Sequence, residues 1–160
     1  MKFRIIKMKF RIIKNYFFIV MTSIVIMACS SDDVTTNNEA VISEIENNVK
    51  KDTWRITKYI DSGDDELNHF TGYNFTFGEN SVLTATNGSN TYNGTWSITN
   101  DSSSDDSSND LDFNILFAAP IDFEELSDDW DIISQSATKI ELIDISGGNG
   151  GTDYLTFERN

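Results

Sequence analysis

From residue 53 to the carboxyl end, apolar side chains recur at every second position, and that period constrains the fold more than any other feature. In TWRITKYID, Trp54, Ile56 and Ile60 alternate with Arg55, Thr57 and Tyr59. In GYNFTFGEN, Tyr73, Phe75 and Phe77 alternate with Asn74, Thr76 and Gly78. NTYNGTWSIT sets Tyr92, Gly94, Trp96 and Ile98 on one face, and LDFNILF does the same with Leu111, Phe113, Ile115 and Phe117. A strand turns successive side chains to opposite faces, so each segment is a strand with one apolar face. SVLTATN, WDIISQSA, TKIELIDI and DYLTFER complete the series.

The pieces between these segments are turn-rich: DSGDDE, the tight-turn pair Asn87-Gly88, DSSSDDSSND and SGGNGG. Phe123-Glu124-Glu125-Leu126, after the only proline, Pro120, reads as a helical turn. About eight short strands with hairpin-length connections predict an antiparallel up-and-down sheet. Faces this aromatic need a closed or double-layered sheet to leave water. The expected fold is all-β: an eight-stranded barrel, with a two-sheet β-sandwich as the alternative. Such a barrel is filled by side chains or holds one ligand. The inward set Trp54, Tyr73, Phe75, Phe77, Tyr92, Trp96, Phe113, Phe117, Trp130 and Phe157 is therefore either the core or the lining of an apolar pocket. Both uses require the same residue types, and the choice stays open at this level.

Residues 39–51 follow a different period. Ile42, Ile45 and Val49 share one face of a short helix, which Asn38 would cap and Lys50 and Lys51 would end. This helix is expected to cover one end of the sheet domain, residues 39–160. Residues 29–38 carry no apolar period and read as a flexible tether.

The first 28 residues are set apart. MKFRIIKMKFRIIK repeats one heptapeptide, so translation starts at Met1 or Met8, and either start leaves a basic segment. YFFIVMTSIVIMA follows, too short to cross a bilayer core of about 20 residues. Residues 1–28 therefore read as an export signal and are excluded from the fold. It ends at Ile26-Met27-Ala28-Cys29, where the only cysteine of the 160 residues stands. This junction resembles that of bacterial lipoproteins, with Met27 larger than the usual residue. The resemblance implies cleavage before Cys29, diacylglycerol on its sulfur and acylation of the new amino terminus. Ser30-Ser31-Asp32-Asp33 is similar to the acidic tract that directs lipoproteins of Bacteroidetes-type bacteria to the outer face of the outer membrane. The implied location is the outer membrane, lipid-anchored and facing the cell surface, with membrane attachment through the acyl chains.

The strand motifs carry a second resemblance. Thr53-Trp54-Arg55-Ile56 after a short helix, Phe75-Thr76-Phe77, Gly94-Thr95-Trp96, Trp130-Asp131-Ile132, Lys139 to Leu142 and a closing Leu155-Thr156-Phe157 are together similar to the lipocalin-like domains of bacterial lipoproteins. The likeness spans about residues 40 to 160. It implies an eight-stranded barrel and binding of a small apolar molecule.

Charge and chemistry narrow the function. The chain carries a net −14, and all 26 acidic residues follow residue 28 together with only half of the twelve cations. Phosphate binding needs clustered cations, so a nucleic-acid partner is excluded. With one cysteine there is no disulfide, and stability must come from packing. His69, the only histidine, has no Gly-x-Ser-x-Gly elbow to serve and reads as a surface residue. Glu124, Glu125, Asp128, Asp129 and Asp131 offer carboxylate pairs of the kind a glycosidase uses. In so acidic a chain, pairs of this sort are expected by chance. Asp101, Asp105, Asp106 and Asp110 crowd one loop, and Asp61, Asp64, Asp65 and Glu66 another, with the oxygen chemistry that suits calcium. Neither follows the D-x-D-x-D-G spacing, and a self-repelling solvated loop is the competing reading. No cofactor and no catalytic residue is expected. The candidate roles are apolar-ligand binding inside the barrel, or an interaction domain with a filled barrel that meets a protein, glycan or cation.

Overall fold

The computed structural model describes residues 33–100, 111–145 and 151–160, with side chains from Asn38 onward. Cys29, the segment expected to be an export signal and the aspartates of 101–110 lie outside the described residues. Helix α1 spans Asp33–Val49 and is followed by strand β1, Trp54–Asp61. A two-residue stub, β2 (Asp64–Asp65), and a 3-10 turn, Leu67–Phe70, precede β3 (Asn74–Phe77), β4 (Val82–Thr86), β5 (Thr91–Asn100) and β6 (Leu111–Phe117). A single helical turn, α2 (Ile121–Glu124), then leads into β7 (Asp128–Gln135), β8 (Lys139–Ile145) and β9 (Thr152–Arg159).

Strands β3 to β9 pair in chain order, all antiparallel. β1 closes the circle by pairing with β9 over six residue pairs and with β3 at Trp54–Phe75. The result is a closed eight-stranded up-and-down barrel, with β2 lying beside β1 outside the circle. Closure removes the unpaired edges that would template aggregation.

Alternation sets the interior. In β6, Phe113, Ile115 and Phe117 are buried while Leu116 faces out. In β5 and β8, Trp96 with Ile98 and Ile140 with Leu142 do the same. β1 departs from the expected period. Its register against β9 shifts between Ile56 and Lys58, a bulge that turns Tyr59 into the core and leaves Ile60 half-buried. A second shift, between Ile132 and Ser134 in β7, leaves Ile133 exposed.

Gly94 in β5 faces Phe117 of β6, and a Cβ there would run into the Leu116 carbonyl and lie 2.8 Å from the Phe117 ring. The glycine lets that ring lie flat over its neighbour strand.

Helix α1 begins at Asp33, ahead of the expected residue 39, so Asn38 is a buried helix residue rather than a cap. Its apolar face, Ile45 and Val49, joins the core, with Val41 and Ile42 packed alongside. The helix leaves its last carbonyls without intrahelical donors. Trp54 donates its indole N–H to Val49 O at 2.8 Å and so ties the helix end to the start of β1. The other two tryptophans act alike. Trp96 donates to Gly78 O in the β3–β4 turn at 3.0 Å, and Trp130 donates to Leu126 O after α2 at 3.0 Å. Each indole buries a large apolar surface and spends its one polar atom on a connection that would otherwise hold an unpaired carbonyl.

Candidate functional site

Two regions have the makings of a site: the barrel interior and a groove on its outer wall. The interior holds the aromatic set. Trp54, Phe75, Phe77, Trp96, Phe113, Phe117, Trp130 and Phe157 are all buried, and Tyr73 and Tyr92 are half-buried and pack against them. Three buried rings stand beside that set: Tyr59, Phe70 and Phe123.

Phe123 is the hub. It projects from α2 and meets Phe70, Tyr73, Phe75, Tyr92 and Phe117 at centroid distances from 4.8 to 6.1 Å. From Phe75 the contacts continue through Phe157 and Phe77 to Trp96 and Phe113. From Phe70 they run through Tyr59 to Trp130. Most of these pairs are edge-to-face, the arrangement that ring quadrupoles favour. Rings thus touch without interruption from Phe123 to Trp96 and Phe113 on one branch and to Trp130 on the other. The α2 plug is fastened by the Tyr59 hydroxyl, which donates to Glu125 O at 2.8 Å. Burial pushes the Tyr59 phenol above its ordinary range, and the nearby Asp61 and Glu125 carboxylates add to the shift.

The sequence placed a helical turn at Phe123–Leu126, two residues beyond the observed Ile121–Glu124, and did not mark Phe123 as a plug. Phe123 and Leu126 both end up buried, three residues apart after Pro120. That spacing is the one local signal of an inward-facing turn.

His69 stands half-buried at the plugged rim, its Nε2 3.5 Å from Glu66 and its Nδ1 3.9 Å from Asp122. No serine, cysteine or threonine hydrogen-bonds to it among the described residues. Of the carboxylate pairs, Asp128 and Asp129 come together at the start of β7. Burial and the hydrogen bond with Asp129 push the Asp128 carboxyl up to about 6. Asp61 and Asp64 face each other across the β1–β2 hairpin, and Asp65 accepts the Leu67 N–H. Among the described residues no three His, Cys, Asp or Glu side chains gather into a metal-holding cluster.

The outer groove crosses β5, β6 and β7 and has a volume of about 590 Å³. Ser97, Asn114 and Asp129 stand in one row across the three strands, because Ser97 pairs with Asn114 and Asn114 with Asp129. Val82, Thr95 and Leu116 form the next row. The β6–β7 ladder stops at Ile115–Asp128. Beyond it Ser127 takes over with its side chain, whose hydroxyl accepts the Phe117 N–H and donates to Phe117 O. The chain has no Lys or Arg from Tyr59 to Thr138, so β3 to β7 carry no basic side chain. The six cations after residue 28 lie in the turn just after α1 and in β1, β8 and β9.

No protein-family model matches the sequence, and no curated protein matches it. Among solved structures the chain is similar to a DUF4847 family protein from Bacteroides vulgatus, with 17% identity, a TM-score of 0.46, and coverage of 72% of this chain and 97% of that one.

Proposed function

We propose that this chain is an exported lipoprotein, held at the outer membrane through acyl chains on Cys29 and facing the cell surface, whose lipocalin-like barrel is a filled, non-enzymatic domain acting through its outer wall. One observation carries the choice between ligand carrier and interaction domain. The ring contacts run unbroken from Phe123 to Trp96, through the space that an internal apolar ligand would need. The anchor rests on the basic segment, the short apolar segment and the placement of the single cysteine. Two or three acyl chains at about 0.8 kcal/mol per buried methylene hold a small domain durably. The acidic domain contributes no electrostatic attraction to anionic headgroups, so the lipid does the holding.

Two measurements test the reading. Cys29→Ala should move the protein from the membrane to the soluble fraction, and unchanged membrane retention removes the anchor. Native mass spectrometry of the detergent-extracted protein should give the mass of the acylated polypeptide alone. An apolar adduct that dissociates on denaturation would restore the ligand-carrier reading.

A further inference from the structure

We propose that the groove across β5, β6 and β7 is a binding site for an uncharged saccharide. This deepens the outer-wall reading above and rests on it. The polar row supplies the chemistry. Ser97 and Thr95 hydroxyls make no hydrogen bond within the described protein, and Asn114 uses its amide N–H on Thr99 Oγ1 at 2.8 Å, which leaves its carbonyl oxygen open. Asp129 is exposed at the end of the same row. The Ser97 hydroxyl, the Asn114 amide oxygen and the Asp129 carboxylate, in register across adjacent strands about 4.8 Å apart, form with the Thr95 hydroxyl of the next row a set of acceptors and donors that suits neighbouring sugar hydroxyls. Beside it Leu116, 58% exposed, offers an apolar surface to the C–H face of a sugar ring. The spacing between Asn114 and Leu116, two residues along one strand, is about 6.8 Å. The volume lies within the range of small-molecule sites, about 300 to 1,000 Å³.

The surroundings exclude other ligand classes. An anion needs cations, and β5 to β7 have none. An extended peptide adds to a free strand edge, but β6 is paired on both sides. A cation needs several converging oxygens, and among the described residues no such cluster forms. A basic peptide drawn to Asp128 and Asp129 is the nearest competitor.

An amide-shift NMR titration of the protein with neutral hexasaccharides of glucose and of mannose, and separately with tetralysine, decides the matter. The expected result is saturable movement of the amides of 95–97, 114–116 and 127–129 by at least one saccharide, with Kd on the order of 1 mM or tighter. Asp129→Ala should weaken that binding at least about tenfold while the protein stays folded, because the side chain is exposed. Asn114→Ala should weaken it as well, which gives a second variant in a different strand. The inference is overturned if no saccharide moves these amides, if the shifts map elsewhere, or if tetralysine alone produces them. A saccharide-negative result with a ligand-free native mass removes only this groove assignment. An apolar adduct in the native mass removes the filled-domain reading, whatever the groove binds.

Discussion

Truncating Phe123 to alanine should destabilise the protein by about 4 kcal/mol. Replacing a buried phenylalanine by alanine costs about 3–5 kcal/mol, depending on how far the site collapses. Collapse is hindered here. The ring is 2% exposed, and its five aromatic neighbours come from the 3-10 turn, the segment before β3, and strands β3, β5 and β6. Those neighbours are fixed by different elements and cannot all move inward. Each aromatic pair adds roughly 0.5–1.5 kcal/mol beyond area burial, which places the cost in the upper half of that range. For a domain of this size, 4 kcal/mol corresponds to a fall in Tm of roughly 12–20 °C. Urea denaturation and calorimetry of the purified variant measure both quantities. The same variant should bind an apolar dye in its native state, because removal of the plug opens the ring cluster to solvent. A loss below about 1 kcal/mol with no dye binding would mean that Phe123 caps the barrel without filling it.

Gly94→Ala should cost about 1–3 kcal/mol through collision with the Phe117 ring and the Leu116 backbone, and equilibrium unfolding would detect it. Trp96→Ala should cost several kcal/mol, whereas Trp96→Phe should lose chiefly the bond to Gly78 O, about 1–2 kcal/mol. Asp128 gives a pH dependence. Its carboxyl is raised from 3.8 to about 6 in the folded state, so the folded protein holds that proton more tightly than the unfolded chain. The contribution to stability therefore grows as pH falls from about 6 to about 4 and is absent above about 6. Asp128→Asn should flatten this window and stabilise the protein at neutral pH by about 1 kcal/mol, after discounting for solvent screening of a half-buried group. Unfolding free energies of the two proteins that stay parallel through that window would contradict the assignment.

The alternation of residues made the barrel legible. Wherever a strand is regular, as in β5 and β6, every inward residue follows from the sequence alone, because burial on one face needs no knowledge of the partner strand. The reading fails where pairing intrudes. Tyr59 faces inward because β1 bulges against β9, and a bulge is a property of two strands. Phe123 became the hub of the interior because α2 folds over the barrel mouth, and no local period marks a single inward residue in a four-residue helix. The groove was invisible for a related reason. Ser97, Asn114 and Asp129 are far apart in sequence and meet only through the register of β5, β6 and β7. Whether the aromatic faces would line a pocket or fill it was also beyond the sequence. That outcome depends on ring-to-ring distances across the barrel, and on the hub ring that α2 supplies.

The central claim is that the interior is occupied by its own side chains, and xenon uptake tests it most directly. An apolar cavity large enough for a ligand stays dry and binds xenon. Methyl-resolved NMR of Leu83, Ala85, Leu142 and Leu155, all buried in the barrel, reports on that space. Under xenon pressure these methyl signals should move no more than those of exposed Leu116 and Ile133. Saturable shifts confined to the four interior methyls would reveal an empty chamber and return the barrel to the class of ligand carriers.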